Sequence, residues 1–401
     1  MFIQLTLSFL LMVSNLLYPQ IFILNPVPIG NRGVEQIQKI ENVQNIADDG
    51  YQGEKSRGEA LLPATGFEEE KHTAEENISE NRQGYDEVIT ISFAGDCTLG
   101  WDDTAGYFNS FPYRLEKENG DFAYFFKGVK QFFESDDLTL VNLETTLTTY
   151  NKKAEKKFRF KGEPSYVNIL KEGSIEMVNL ANNHIYDYLE QGFKETIGNL
   201  EKGEILYSGE GFMGETTIRD IKVVSLGYRG WDISIKEQLM KDIQRAKGLG
   251  DIVLVSFHWG EERRHFPNKT QRILAYTAID EGADIVVGHH PHVIQGIEKY
   301  KDKYILYSLG NFSFGGNKNP MDKDSFIFQN RFYLKDKKII KNEGVIVPCK
   351  ISSVNDVNDY QPTVARGEEA KRIVDRLLLY SEKLLNGISG EEEVYIKDII
   401  N

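Results

Sequence analysis

Three histidines within six residues are the feature of this chain that most directly indicates chemistry. The segment from Gly288 to Val293 reads Gly-His-His-Pro-His-Val and holds three of the seven histidines. It follows the apolar run 283–287, which has the composition of a buried strand. Histidine is the commonest metal ligand, and α/β sheets place their functional groups at the carboxyl ends of strands. The segment therefore predicts metal ligands.

Four other apolar runs of the chain also end in side chains that bind metals. Those side chains are Asp96 after 89–94, Glu144 after 138–143, Asn182-Asn183-His184 after 177–181, and His258 after 253–257. Any one of these endings has an ordinary structural explanation, such as a turn or a buried histidine. Five similar endings would each need a separate explanation, so we interpret them as one converging site.

The types of ligand indicate which metals would bind. Aspartate, glutamate, asparagine and several histidines form a mixed oxygen and imidazole set without thiolate, which suits manganese, iron or zinc. Six ligands exceed the four that a single tetrahedral zinc uses. Two divalent ions sharing a carboxylate would account for the set, and such pairs favour in-line displacement at phosphorus by an activated water. Hydrolysis of a phosphoryl group is the reaction that these residues favour.

The motifs, taken in order, resemble the bacterial capsule-synthesis CapA family, a branch of the calcineurin-like metallophosphoesterase superfamily. The resemblance covers 87–314 and rests on Gly95-Asp96, Val141-Asn142-Leu143-Glu144, Asn179 to His184 with Asp187, His258-Trp259-Gly260, Gly288 to Gln295, and Ser308 to Phe312. It implies an α/β fold, a four-layer α/β/β/α sandwich. It also implies a role in making, exporting or anchoring poly-γ-glutamate or a related anionic surface polymer.

The resemblance assigns ligands to two divalent metal ions, residue by residue. It implies Asp96 and His292 for the first metal, Asn183, His258 and His290 for the second, and Glu144 in the place of a metal-bridging aspartate. His289 has no counterpart in the family pattern and is left out of the ligand set.

One departure from the superfamily pattern affects the first metal. The superfamily opens with Asp-x-His, whereas Asp96 is followed here by Cys97 and Thr98. The first metal therefore lacks one imidazole unless Thr98, Cys97 or water substitutes. Sequences of the CapA type share this departure, so it bears on the strength of the site and not on the family.

Further residues are candidates for catalysis and substrate binding. The resemblance implies that His184 faces the leaving group as general acid or oxyanion stabiliser. Asp187 either fixes the tautomer of His184 or is an acidic residue at the start of the following helix. Asn311, Arg159 and Glu261 are candidate substrate contacts, although simple solvation is the plainer explanation for Arg159 and Glu261.

The first 86 residues bear on the cellular location of the protein and not on its catalytic chemistry. Residues 1–31 carry no charged side chain, which predicts either a single-pass membrane anchor or a secretory signal. Residues 32–86 are predicted to be a disordered tether, because 33–86 contain 13 acids and 5 bases, or −8 of the chain's net −14. The flanking charges do not support an orientation by the positive-inside rule. An extracytoplasmic domain at the cell membrane, or secretion after cleavage, is therefore implied by the resemblance.

From residue 87 onward, apolar strands alternate with helical patterns, which predicts a parallel or mixed sheet covered by helices. The helical patterns lie at 122–133, 164–172, 189–200, 235–249 and 270–281, and antiparallel strands are expected at 326–334, 338–341 and 344–351. We assign 87–352 to the CapA-like domain and 353–401 to a C-terminal extension with an amphipathic helix over 367–386. Whether Cys97 and Cys349 pair stays open.

Charge and chemistry limit the possible partners. A net charge of −14 excludes nucleic-acid binding driven by electrostatics. The expected partners are an anionic polymer or phosphorylated precursor, the membrane, and other capsule synthase subunits. The chain is a phosphoesterase, a non-catalytic metal-containing accessory or polymer-binding subunit, or a metal-dependent hydrolase of the polymer amide. His184 separates the first two, since a binding centre has little use for a non-ligating histidine beside the metals.

Overall fold

The computed structural model of the protein describes residues 84–389 and the backbone of 394–396. The predicted N-terminal anchor and nearly all of the predicted tether lie outside these residues. Within the described part of the chain, no helix is long and apolar enough to cross a membrane.

Strands and helices alternate through most of the described chain. The strands are β1 (Glu87–Thr98), β2 (Leu138–Leu143), β3 (Thr146–Leu147), β4 (Lys161–Gly162), β5 (Met177–Asn179), β6 (Leu206–Ser208), β7 (Gly214–Ile218), β8 (Ile221–Gly230), β9 (Ile252–Trp259), β10 (Ile285–His289), β11 (Ile297–Tyr300), β12 (Lys303–Leu306), β13 (Asn311–Phe314), β14 (Asp324–Lys335), β15 (Lys338–Lys350), β16 (Thr363–Val364) and β17 (Val394–Ile396). The α-helices are α1 (Phe111–Lys117), α2 (Lys130–Phe133), α3 (Val167–Glu172), α4 (Leu189–Lys202), α5 (Lys236–Lys247), α6 (Lys269–Glu281) and α7 (Gly367–Ser381). Short 3-10 helices cover Asp103–Ala105, Phe122–Phe126, Pro164–Tyr166 and Ile233–Ile235.

These strands form two large sheets. The nine-stranded sheet has the order β16-β15-β14-β1-β2-β5-β6, with β13 beside β1 and β17 beside β15. The six-stranded sheet has the order β11-β12-β10-β9-β8-β7. Strands β1, β2, β5 and β6 run parallel in the first sheet, and β12, β10, β9 and β8 run parallel in the second. The predicted α/β class is confirmed, and the architecture is consistent with an α/β sandwich.

Two apolar cores lie on opposite faces of the nine-stranded sheet. Because side chains alternate along a strand, β2 directs Leu138 and Leu140 into one core and Val141 and Leu143 into the other. The first core also contains apolar residues of β9, β10 and α7, so it lies between the sheets. The second core contains residues of α1 to α4. Cys97 and Cys349 are both free thiols buried in that second core.

The local structure follows the sequence patterns, with two instructive differences. All five predicted helical patterns contain helix, but 122–133 is divided into a 3-10 helix and α2. The strands expected at 338–341 and 344–351 are one continuous strand, β15. Its polar middle is accommodated because Asn342 Nδ2 donates to the carbonyl of Asp302 (2.9 Å) and Glu343 pairs with Arg331 (2.9 Å).

Asp136, in the turn before β2, should make stability depend on pH. Burial raises the pKa of its carboxyl to about 7 from the ordinary 3.8. The unfolded chain loses this proton first as pH rises, so stability decreases between about pH 4 and pH 7 and stays low above. We expect Asp136→Asn to raise the free energy of unfolding by about 1 kcal/mol at pH 8, with no gain at pH 4. Urea unfolding at both pH values measures this, and an equal change at both would contradict it.

Candidate metal centre

The polar strand ends converge between the two sheets, at the carboxyl ends of their parallel strands. In β2, Asn142 continues the inward-facing positions of Leu138 and Leu140. In β9, His258 continues the inward-facing positions of Ile252 and Leu254 in the same way. Side-chain alternation along each strand therefore carries these polar groups to the end of the inter-sheet core.

Asp96 reaches the same space through a β-bulge. Phe93 pairs with Leu140 and Asp96 with Asn142, so three steps along β1 match two along β2. The extra residue reverses the alternation and turns the Asp96 side chain toward the six-stranded sheet. Glycine is required in the bulge because a Cβ on Gly95 would lie 2.1 Å from the Gly310 carbonyl oxygen.

The loop after β10 supplies two histidines from an unusual backbone conformation. His290 has φ of 96° and His292 has φ of 57°. Positive φ is uncommon for residues other than glycine, and such strain concentrates at functional sites. The backbone of His290 is held in place by its N–H, which donates to Asp96 Oδ2 (3.2 Å).

The ligand atoms form two groups that share Glu144. In the first group, ligand atoms of Asp96, Glu144 and His292 all lie within 4.8 Å of one another. In the second group, the same holds for Glu144, His258 and His290. Asn183 adds to the second group, because its Oδ1 lies 2.8 Å from His258 Nε2. The set divides into the two sites that a dinuclear centre with one bridging carboxylate requires.

The state of Glu144 tests whether these residues fit a metal pair. Its side chain is fully buried, and neither carboxylate oxygen has a hydrogen-bond partner within the described chain. Burial raises the pKa of Glu144 well above its ordinary range. A buried carboxylate without partners is costly, and coordination to cations would satisfy both oxygens. The oxygen and imidazole donors around it fit manganese, iron or zinc.

The imidazoles of the site differ in charge. Burial holds the pKa of His258 well below its ordinary value, so this ring is neutral, the form that binds metals. Burial alone would lower the pKa of His292 too, but the carboxylates of Glu144 and Asp96 raise it to about 10. His292 Nδ1 lies 3.2 Å from Asp96 Oδ2. In this structure His292 is therefore the cation that pairs with Asp96.

Asparagines behind the ligands fix the orientation of Asp96. Asn179 Nδ2 donates to Asn142 Oδ1 (2.8 Å), and Asn142 Nδ2 donates to Asp96 Oδ1 (2.8 Å). Asn311, a predicted substrate contact, lies 2.9 Å by its Oδ1 from His292 Nδ1. His289 is buried with its Nδ1 3.5 Å from Asp96 Oδ1, outside both ligand groups.

His184 lies beside the ligand groups without belonging to either. Its Nε2 is 3.9 Å from Glu144 Oε1, and its ring packs on Phe160 with centroids 4.2 Å apart. Asp187 Oδ2 lies 2.6 Å from His184 Nδ1, so Asp187 orients the imidazole. The other Asp187 oxygen accepts from Lys156 Nζ (2.6 Å). The chain from Lys156 through Asp187 to His184 fixes a histidine that can exchange protons with a ligand.

A cleft of about 340 Å³ opens from His184 and His292. Its lining includes Phe158, Phe160, Phe314, Met321, Asn311, Glu262 and Arg263. Two predicted substrate contacts lie outside it. Glu261 is exposed and pairs with Arg264 (3.4 Å), while the Arg159 main chain donates to Asp102 Oδ2 (2.9 Å).

Several residues that build the site were absent from the sequence-based candidates. They are Asn142, Asn179 and Glu262. Asn142 carried a signal, since a polar residue inside the apolar run 138–143 needs a buried partner. Glu262 carried none, because charged loop residues are ordinarily solvated.

We expect Lys156→Met to destabilise the protein by about 1–3 kcal/mol, because it leaves a buried Asp187 oxygen without its cation. Lys157→Met is the matched control: Lys157 is exposed and lies over the Phe158 ring, so its loss should change stability by less than about 0.5 kcal/mol. Chemical denaturation of both variants measures this. Equal losses of stability in the two variants would show that Lys156 contributes only its positive charge and not its contact with Asp187.

Comparisons with known proteins give a consistent result. The family described as bacterial capsule synthesis protein PGA_cap matches residues 90–316. The chain is 32% identical to the PGA biosynthesis protein CapA of Bacillus subtilis (strain 168), over 57% of this chain and 64% of that protein. It is 35% identical to the capsule biosynthesis protein CapA of Bacillus anthracis, over 53% of this chain and 58% of that protein. The matched residues 90–316 of the family contain every candidate metal ligand.

A more distant relative adds a different description. The probable polyglutamine synthesis accessory protein Rv0574c of Mycobacterium tuberculosis (strain ATCC 25618 / H37Rv) is 28% identical over 44% of this chain and 55% of that protein. The matched part of the chain thus spans less than two thirds of the length of each of these relatives.

Proposed function

Because the chain belongs to the bacterial capsule synthesis protein PGA_cap family, we propose that it acts in the biosynthesis or export of an anionic capsule polymer, with a two-ion metal centre that hydrolyses a phosphoester. The proposed polymer is poly-γ-glutamate or a related polyanion, since the Bacillus relatives are described as PGA and capsule biosynthesis proteins. The proposed ions are two of manganese, iron or zinc, and the proposed substrate is the polymer or a phosphorylated precursor.

One observation carries the metal part of the proposal. Glu144 belongs to both ligand groups, is fully buried, and has both oxygens without hydrogen-bond partners in the described chain. A structural carboxylate at this depth would be expected to accept hydrogen bonds from the chain itself. A bridging ligand needs its oxygens left available for cations.

The layers of the fold support the superfamily part of the proposal. Helices α1 to α4 cover one face of the nine-stranded sheet, and the other face packs on the six-stranded sheet. Helices α5 and α6 contact β8, β9 and β10 of the six-stranded sheet. We propose that this is the four-layer α/β/β/α sandwich of the metallophosphoesterases.

The residues of the site have separate roles in the proposed hydrolysis. When bound, the two ions would neutralise phosphoryl charge and make a water nucleophilic near neutral pH. The proposed ligands are Asp96, Glu144 and His292 for one ion, and Glu144, Asn183, His258 and His290 for the other. A doubly protonated His184 would give its Nε2 proton to the leaving oxygen and become neutral, while its Nδ1–H donates to Asp187.

Location is proposed from residues 1–31 and the family. The domain is proposed to be extracytoplasmic and tethered to the cell membrane, or secreted after signal cleavage, beside other capsule synthase subunits. Protease added to intact cells should degrade the domain, and detergent should be needed to solubilise it. A protected domain would contradict the proposed side of the membrane.

A non-catalytic accessory or polymer-binding subunit is the second candidate. The Mycobacterium relative is described as an accessory protein. The first ligand group also lacks the Asp-x-His imidazole: Thr98 takes that position, and its Oγ1 is buried without a hydrogen-bond partner in the described chain. Hydrolysis of the polymer amide would use the same ligands to polarise a carbonyl.

The deciding experiment measures metal content and turnover on the purified full chain. Elemental analysis would be run beside hydrolysis of a generic phosphodiester, a phosphomonoester and polyglutamate, with manganese added. We expect about two ions per chain and phosphoester turnover. The double variant His258→Ala/His290→Ala should lose both the bound metal and the turnover. Glu176→Gln, which removes a half-buried carboxyl at the other end of β5, is the matched control and should keep both.

The possible results separate the candidates. Two ions without any turnover would favour the accessory subunit, and turnover of polyglutamate alone would favour amide hydrolysis. Activity retained in the metal-free double variant would overturn the catalytic proposal. A chain that binds no metal would overturn all three candidates, since each depends on the metal centre.

A further inference from the structure

A lysine-rich groove of about 840 Å³ lies at the opposite end of the sheets from the metal centre. The β11–β12 hairpin contributes Lys299, Lys301 and Lys303, and the β14–β15 hairpin contributes Lys337, Lys338 and Lys341. A seventh lysine comes from the end of α5, whereas the acidic lining residues are three aspartates. Positive charge is therefore concentrated at one place on a chain whose net charge is −14.

The groove is separate from the metal centre. Asp251 and Asp284 line the groove just before β9 and β10, and His258 and His289 lie at the other ends of these strands. Seven residues at about 3.3 Å per residue place roughly 23 Å between Asp251 and His258. A ligand in the groove would not contact the metal ligands.

Two of the three lining aspartates are held by contacts within the protein. Asp284 pairs with Lys303 (2.9 Å) and accepts from the Val253 N–H (2.9 Å). Asp251 accepts from the Lys222 N–H (2.9 Å). In the part of the chain that the structure describes, Lys299, Lys337 and Lys338 have no carboxylate within ion-pair distance. The groove thus keeps positive charge available for an external anion.

Both hairpins hold lysine where the backbone favours other residues. Each has a two-residue loop, Lys301-Asp302 in one and Asp336-Lys337 in the other. All four residues have positive φ, between 50° and 60°. Such loops favour asparagine, aspartate and glycine, and lysine there is strained. Lys301 pairs with Asp280, and Lys337 Nζ donates to the Asp220 carbonyl (2.8 Å), so both ammonium groups are held beside the groove in spite of the strained backbone.

We propose that this groove binds the carboxylate-bearing chain of the capsule polymer. The identity of the polymer rests on the proposed function, while the preference for a polyanion follows from the lysines. At physiological salt, charges screen each other beyond about 8 Å, so the local lysines outweigh the distant net negative charge. The lining of the metal-centre cleft has one arginine and no lysine, together with Glu262 and Asp322, so it offers this ligand less positive charge.

A polymer chain fits this surface better than a membrane does. The protein backbone leads into β1 beside the groove. There Asp86 N–H donates to the Leu334 carbonyl (2.8 Å), and Asp336 N–H donates to the Asp86 carboxylate (2.8 Å). An anionic membrane on this side would meet the rim lysines. The lysines, however, line a concavity between two hairpins, and the flat surface of a bilayer cannot enter this concavity. A flexible polymer chain with one carboxylate per repeat can enter it and reach the lysines.

The test uses the full chain and fluorescein-labelled γ-linked polyglutamate, with binding followed by fluorescence anisotropy over a range of salt. The groove variant is Lys301→Asn/Lys337→Asn/Lys338→Gln. Asparagine tolerates positive φ, so the first two changes remove charge and relieve strain. We expect binding about tenfold weaker than that of the native chain at physiological salt, with a smaller dependence on salt.

The control removes the same charge elsewhere. Lys127→Gln/Lys194→Gln/Lys202→Gln changes three exposed lysines outside the groove and should bind within about twofold of the native chain. Equal weakening in both variants would overturn the proposal in favour of general charge. A native chain that does not bind polyglutamate but binds phosphatidylserine vesicles would overturn the proposal and indicate a membrane-binding surface.

The metal assay keeps this test independent of the proposed function. A native chain with two ions and turnover, but without polyglutamate binding, would overturn the groove and leave the metal centre standing. A native chain that binds polyglutamate through the groove, but holds no metal, would support the groove and overturn only the metal centre.

Discussion

Replacing Glu144 by glutamine is expected to weaken binding of both metal ions, by at least about 100-fold for each. The reason is its position, since it is the one residue present in both ligand groups. The same change should remove most of the stabilisation that added metal gives the folded protein, because an ion that binds only the folded chain stabilises it in proportion to its affinity. Metal should therefore stabilise the native protein strongly and the variant hardly at all.

Titration calorimetry with manganese and thermal unfolding with and without metal measure these two effects. Glu176→Gln is the matched control, because Glu176 is a half-buried carboxyl whose pKa is also raised by burial. It accepts a hydrogen bond from the Thr139 N–H (2.8 Å), at the end of the strands away from the metal centre. The control should keep the native metal affinity. A Glu144 variant that loses only one ion would show that Glu144 does not bridge.

Replacing His184 by asparagine is expected to lower turnover about 100- to 1,000-fold while two ions stay bound. Its Nε2 faces the shared carboxylate, its Nδ1 is held by Asp187 at 2.6 Å, and it belongs to neither ligand group. Loss of the imidazole should remove proton transfer to the leaving oxygen without removing a metal ligand. Substrates with good leaving groups, which need less protonation, should lose less.

Rate measurements on paired phosphoesters with good and poor leaving groups, beside elemental analysis, separate the possible roles of His184. Asp187→Asn should give an intermediate loss, because it disturbs the tautomer and orientation of His184 but keeps its ring. If His184→Asn lost metal in proportion to activity, His184 would be a ligand. If it kept full activity, the general-acid role would be wrong.

Much of the site follows from sequence because strands alternate their side chains. The apolar runs at 138–143 and 253–257 identify two strands, and a period of two then places Asn142 and His258 on the same faces as their buried leucines. The helices covering the sheets follow from their periodic apolar residues. The donor types alone also identify the class of metal, since ligand chemistry depends on the side chain and not on the fold.

The direction of the other ligands depended on contacts between distant parts of the chain. Strict alternation in β1 would point Asp96 at the helices, and only the bulge packed against Gly310 turns it inward. The positive φ of His290 and His292 is likewise held by the packed loop, including the bond from His290 N–H to Asp96.

The lysine groove is the clearest case of a feature that only the tertiary structure decides. Its hairpins are separated by more than thirty residues in sequence, and neither contains enough lysine to differ from an ordinary solvated turn. The sequence by itself determined which donors the chain owns and which strands carry them. Their assembly needed the folded chain, because bulges, strained loops and facing hairpins are stabilised by long-range packing that local patterns do not encode.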